Sequence, residues 1–135
     1  MYSHDFTYRV AYADTDMMGY MYYGNYARLY EIGRVELIRS LGITYHNMER
    51  DMGIMLPVVN VESRYTKPAL YDDVLTVTTS LMEMPEKMIT FYFSIANGKK
   101  ETIHKAEVKL FFVDMASGKR ISCPEFITDN LKPWF

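Results

Sequence analysis

The chain has 135 residues, 49% hydrophobic and 24% charged, with a formal charge of -2, so one domain over residues 1–135 is expected, long enough to bury a core. That charge balance removes any global attraction to nucleic acid or to an anionic membrane surface. No apolar run approaches the roughly 18 residues of a membrane helix, the start Met-Tyr-Ser-His-Asp-Phe lacks signal-peptide character, and the one cysteine, Cys123, has no disulfide partner, which together predict a cytoplasmic protein.

In chain order, residues 6–12 alternate and read as a first strand. A turn-rich stretch follows, Asp14-Thr15-Asp16-Met17-Met18-Gly19, and then an aromatic segment, Tyr20-Met21-Tyr22-Tyr23-Gly24. The longest helix is predicted over residues 25–41. Tyr26, Leu29, Tyr30, Gly33, Leu37 and Leu41 recur with the 3.6-residue period on one face. Asn25 is the predicted N-cap and Gly42 the left-handed C-cap. Ile32, Val35 and Ile38 lie off the main stripe, so this helix needs more than one covering layer. Glu31 with Arg34, and Glu36 with Arg39, are spaced for i,i+3 pairs. A short second helix over 44–52 stops at Gly53.

Everything beyond reads as antiparallel sheet. Val59, Val61 and Tyr65 alternate with Asn60, Glu62 and Arg64, and Leu75, Val77 and Leu81 with Thr76, Thr78 and Ser80. Ile89, Phe91, Phe93 and Ile95 line one face of the next strand. Asn97-Gly98 predicts a two-residue hairpin turn with positive φ at both positions. The returning strand sets Ala106, Val108, Leu110 and Phe112 against Lys105, Glu107 and Lys109. Ser117-Gly118 turns into a final short strand ending near Pro124. One long helix and one large sheet must bury their apolar faces on each other, which predicts a two-layer α+β domain with the sheet curved around the helix.

Aromatic residues reach 15%, with 12 tyrosines, beside 11 methionines. Such residues build adaptable pockets and subunit interfaces, or simply an aromatic-rich core. His4, His46 and His104 are far apart, with no metal-site spacing, and His104, among charged neighbours, is expected to be exposed. No Gly-x-Ser-x-Gly, catalytic-cysteine context or phosphate-binding loop is present. No metal and no cofactor are therefore expected.

The segment from Tyr12 to Tyr26 resembles the signature of the hotdog thioesterases, in particular the branch typified by 4-hydroxybenzoyl-CoA thioesterase. Asp14, Asp16, Gly19, Tyr22, Tyr23 and Tyr26 match its acidic pair, glycine, aromatic pair and helix-start tyrosine. A second match runs through Arg64-Tyr65-Thr66-Lys67-Pro68-Ala69 and Tyr71-Asp72-Asp73-Val74-Leu75, so the resemblance spans roughly residues 8–112. It implies a hotdog fold, a curved antiparallel sheet wrapped around one long central helix. It also implies hydrolysis of an acyl-CoA, with Asp16 as nucleophile or general base and the backbone N–H of Tyr23 polarising the thioester carbonyl. Gly19, Tyr22 and Tyr26 are the implied substrate-binding residues. Dimers joined sheet edge to sheet edge, with sites between protomers, and tetramers are implied as well. The family's basic residues for the coenzyme A nucleotide reduce here to Lys87, in Met84-Pro85-Glu86-Lys87, so an acyl-carrier-protein substrate stays open.

Physical chemistry agrees with these roles. A carboxylate is ionised at neutral pH and can attack the acyl carbon or activate water. A helix N-terminus offers free N–H groups and a favourable dipole for the oxyanion. Other readings remain. Asp-Thr-Asp before Gly is ordinary turn chemistry, and for Asp14 that structural reading leads. Glu31 is a rival helix acid. The three tyrosines could line an acyl pocket or fasten the helix to the sheet. A non-catalytic acyl-binding module, with Asp16 as a turn cap, is the alternative of a different class.

Overall fold

Strict alternation in three consecutive segments commits them to strands with one buried face. A computed structural model, describing residues 1–135, contains β1 (Tyr2–Arg9), α1 (Tyr26–Ser40), α2 (Tyr45–Met52), β2 (Ile54–Met55), β3 (Val58–Tyr65), β4 (Val74–Leu81), β5 (Met88–Ala96), β6 (Thr102–Asp114), β7 (Arg120–Ile121) and α3 (Glu125–Leu131). The sheet is antiparallel throughout and ordered β1-β4-β5-β6, with β3 along the other edge of β6. The two-residue strands β2 and β7 pair with the last residues of β6. No helix is long and apolar enough to cross a membrane.

The inner face collects Leu75, Val77 and Leu81 from β4, Ile89, Phe91, Phe93 and Ile95 from β5, and Ala106, Val108, Leu110 and Phe112 from β6, all buried. Helix α1 lies on this face, burying Tyr26, Leu29, Tyr30, Leu37 and Ile38. Each large side chain taken from water here contributes about 1.5–3 kcal/mol. Gly33 lets the helix approach closely, since a Cβ there would collide with Thr79 Oγ1 and press on the Phe93 ring. This is the expected hotdog arrangement, and Ile38, beside the main stripe, is buried as well.

Several local expectations change. The first strand runs over residues 2–9, and Tyr12 belongs to a 3-10 turn. Asn25 does not cap α1: its backbone is already helical and its side chain makes no cap bond, because a 3-10 turn from Tyr23 to Asn25 leads into the helix. Glu36 pairs with Arg39, but Glu31 and Arg34 form no ion pair, Arg34 being turned toward Tyr45. The Asn97-Gly98 turn is a five-residue loop instead. Asn97 Oδ1 accepts from Lys99 N at 3.0 Å and Glu101 N at 3.1 Å, and the positive φ, +62°, falls on Lys100. The C-terminal region is not all sheet, since α3 follows β7 and buries Ile127 and Leu131 against the core.

Candidate active site

The chain leaves the sheet at Val10, whose N–H donates to Asp73 O and whose carbonyl accepts from Asp72 N, both at 2.9 Å. The 3-10 turn that follows drives the Asp14 carboxylate inward. Its Oδ2 accepts the Tyr8 hydroxyl at 2.5 Å and Ala11 N at 2.8 Å, while Arg28 Nη1 stands 3.8 Å from Oδ1. The Asp14 carbonyl accepts from Tyr22 N at 2.8 Å and Asn25 Nδ2 at 2.7 Å. Asp14 thus ties the end of β1 to the start of α1, the structural role its turn context favoured.

Asp16, two residues on, faces elsewhere. It heads a tight turn in which Gly19 N donates to Asp16 O at 3.0 Å and Asp16 N to Tyr20 O at 2.9 Å. Gly19 adopts φ +80°, a conformation glycine reaches without penalty. The Asp16 Oδ1 accepts Met18 N at 2.9 Å, and Oδ2 has no partner within the chain. Met21 N donates to Ala69 O at 2.8 Å, and the 3-10 turn at Tyr23 then enters α1. The backbone N–H groups of Tyr23 and Gly24 donate to no acceptor in the chain, as expected of the first residues of a helix.

A cavity of about 260 Å³ opens here. Asp16 lines it from the turn, Tyr23 and Tyr26 from the helix start, and Tyr65, Thr66 and Lys67 from the end of β3. The structure therefore brings Asp16, Tyr23 and Tyr26 together. Tyr26 lines the cavity and also packs into the core. Gly19 shapes the turn beneath, and Tyr22 stays outside with its ring tilted against that of Tyr23 at 4.8 Å. The Tyr22 hydroxyl is held above its ordinary pKa range, chiefly by the adjacent Tyr23 phenol and in smaller part by the nearby Asp16 carboxylate.

Lys87 does not join them. Arg9 pairs with Val74 and Tyr2 with Leu81, so the 82–87 loop sits at the opposite end of β4 from the Val10–Asp73 corner beside the site. The basic residue at the cavity is Lys67, ion-paired with Glu101. Lys67, then Asn97, holds the Glu101 carboxyl below its usual range. Glu31 is exposed and does not line the cavity. Cys123 does not line the cavity, and burial pushes its thiol up to about 12. A wider concavity of about 670 Å³ on the outer sheet face, with Arg64, Tyr92 and Glu107 among its lining, has no helix start beside its carboxylates.

His104 is not exposed but fully buried. Its ring stacks on Tyr26, with centroids 4.2 Å apart and planes 18° apart, and its Nε2 hydrogen-bonds the Tyr30 hydroxyl. Burial lowers its pKa to about 4. The charged neighbours misled: Lys105 points away, whereas His104 shares the parity of Ala106 and Val108, and strand alternation alone locates it inside.

Comparison with known proteins bears on this geometry. The chain is 35% identical over 124 residues to a protein of Aquifex aeolicus (strain VF5) named as an esterase, covering 92% of this chain and 94% of that one. It is 28% identical to the acyl-CoA thioester hydrolase YbgC of Escherichia coli O6:H1, with 92% of each chain covered. The crystal structure of DHNA-CoA thioesterase from Staphylococcus aureus superposes with a TM-score of 0.88 at 28% identity, over 99% of this chain and 89% of that one. The family model of the thioesterase-like superfamily matches residues 10–131, from the strand end that carries the acidic turn to the last helix. With fold, motif order and family model in agreement, this chain belongs to the thioesterase-like superfamily.

Proposed function

We propose that the chain hydrolyses acyl-CoA thioesters, with Asp16 supplying the reactive carboxylate and the first amides of α1 binding the oxyanion. The observation that carries this reading is the meeting at one cavity of a half-buried carboxylate having a free oxygen and the helix start at Tyr23, whose N–H has no acceptor in the chain. Relatives named as acyl-CoA and DHNA-CoA thioester hydrolases support it.

With the thioester carbonyl oxygen near the Tyr23 and Gly24 amides, its carbon becomes electron-poor. Asp16 then takes a proton from an attacking water, or attacks that carbon directly to form a mixed anhydride that water afterwards hydrolyses to the free acid; on either route the C–S bond breaks and coenzyme A leaves as its thiolate. Negative charge on the oxygen is met by helix-start N–H groups that have no other acceptor in the chain, and one such donor is worth about 2.7–4 kcal/mol of barrier. An acyl chain on a carrier protein remains the second substrate source.

A homodimer, paired further into a homotetramer, is part of the proposal, as is a single cytoplasmic domain without a cofactor. Its support is β3, an unpaired edge strand on which Val58, Val59, Val61 and Tyr65 are 45–50% exposed, the kind of edge that recruits another strand.

The test is turnover of an acyl-CoA panel, with acyl-carrier-protein thioesters in parallel, by wild type, Asp16→Asn and Asp16→Ala. Loss of about 10²–10⁴-fold in kcat is expected, the usual weight of a general base. Unchanged turnover in both variants rejects the assignment. Ligand binding with no turnover on any thioester favours the non-catalytic reading, in which the Met18 bond makes Asp16 a turn cap.

A further inference from the structure

An asparagine at the residue before a helix ordinarily caps it, its side-chain oxygen accepting an N–H of the first turn. Asn25 does not, since its side chain makes no bond to the helix that it precedes. The side-chain nitrogen instead reaches back eleven residues and donates to the Asp14 carbonyl at 2.7 Å.

That carbonyl joins the two legs of the loop between β1 and α1. It also accepts Tyr22 N at 2.8 Å, and Asn25 N in turn donates to Tyr22 O at 2.9 Å. The Tyr22 carbonyl and the Tyr23 N–H belong to one peptide unit. A trans peptide is planar, with its N–H opposed to its C=O, so a bond that holds the Tyr22 oxygen also sets the direction of the Tyr23 N–H. The other leg carries Asp16, whose N donates to Tyr20 O at 2.9 Å, with Thr15 bridged to Met21. Between this acidic turn and the helix start, Asn25 makes the one side-chain hydrogen bond, beside the 3.8 Å ion pair of Arg28 with Asp14.

We propose that Asn25 is a positioning residue for thioester hydrolysis, its side chain held by the Asp14 carbonyl and its backbone N–H fixing the Tyr22–Tyr23 peptide relative to the turn that carries Asp16. The inference rests on the thioesterase reading and deepens it, because it names what keeps the oxyanion donor and the carboxylate in register. The contact demands a donor. Aspartate caps helices as well as asparagine does and is favoured by the helix dipole, yet here it would set a carboxylate against a carbonyl oxygen. A misplacement of about 1 Å costs on the order of 10²-fold in rate.

The test measures kcat and KM on an acyl-CoA panel for wild type, Asn25→Ala and Asn25→Asp, with folding checked by circular dichroism. Asn25→Ala is then repeated in Tyr23→Ala, which keeps the amide, and in Tyr23→Pro, which has none. Asn25→Ala is expected to lower kcat about 10–10²-fold with KM little changed, and Asn25→Asp to do no better. In Tyr23→Ala the cost of Asn25→Ala stays whole, whereas in Tyr23→Pro it shrinks to about twofold at most. Equal cost in the two backgrounds overturns the proposal, since a structural defect alone would weigh on both. Wild-type kcat in Asn25→Asp overturns it too, and this nearly isosteric variant decides if Asn25→Ala does not fold. Absence of turnover by folded wild type rejects the thioesterase reading instead. Amide hydrogen exchange then tests the tie: the Tyr22 N–H is expected to exchange about fivefold faster in Asn25→Ala, and an unchanged rate overturns it.

Discussion

The Tyr8 hydroxyl donates to the buried Asp14 carboxylate at 2.5 Å, joining the last inward residue of β1 to the turn from which Asp16 projects. Burial first, and then this bond, lift the Tyr8 pKa above its ordinary value, which keeps the phenol protonated as donor. Arg28 adds a second donor, bonding the Tyr8 oxygen at 3.1 Å from the first turns of α1. The acid that shapes the site and the acid proposed to react in it are separated by one residue and by opposite orientation.

Asp14→Ala strands the Tyr8 hydroxyl and the Ala11 amide. A loss of about 1–3 kcal/mol of stability is expected, the cost of leaving a buried polar group unsatisfied, measured by urea denaturation. A variant as stable as wild type would show that the buried carboxylate does not organise the turn.

Tyr23→Pro removes one free amide at the site with little strain on the backbone. Tyr23 opens a 3-10 turn, and Tyr22 before it has φ -59° and ψ 133°, the extended conformation that precedes proline readily. Relative to Tyr23→Ala, kcat should fall about 10²–10³-fold, the weight of one oxyanion donor, with the circular dichroism spectrum retained. Equal kcat for the two variants would remove the Tyr23 amide from the mechanism.

Gly33→Ala forces a methyl group onto Thr79 Oγ1 and Phe93. Overpacking of this kind destabilises by about 1–3 kcal/mol. Combining it with Thr79→Ala, which removes the obstructing oxygen, should recover part of that loss. Strictly additive effects in the double-mutant cycle speak against the contact.

His104 makes stability depend on pH. An unfolded histidine titrates near its ordinary 6.5, while burial holds the folded residue at about 4. Between those values the unfolded chain binds a proton that the folded one refuses. Stability is therefore complete above the unfolded value and drains away as pH falls toward the folded one, an effect on the order of 3 kcal/mol when fully developed. His104→Phe keeps a ring in the stack and abolishes this titration. Urea midpoints at about pH 8 and about pH 5 should drop more for wild type than for the variant, and identical drops rule the histidine out as the cause.

Much of this was legible in the chain itself. Strand alternation and the helical stripe determine the two layers because burial follows side-chain period, a local property of sequence. The pairing of the Asp16 carboxylate with the helix-start amide at Tyr23 is what the family resemblance of the segment from Tyr12 to Tyr26 implies and stands as a proposal; that both line one cavity follows from a short stretch of chain. Tyr65, Lys67 and His104 were not so accessible as site residues, since they come from β3 and β6, and only the register between those strands sets Tyr65 opposite His104 and both beside Tyr26. Lys87 shows the converse: its charge is plain in the sequence, yet strand direction carries it to the far end of the sheet. Local chemistry decided what the loop could do, and long-range strand pairing decided what stands around it, because register is a property of two segments that neither one encodes alone.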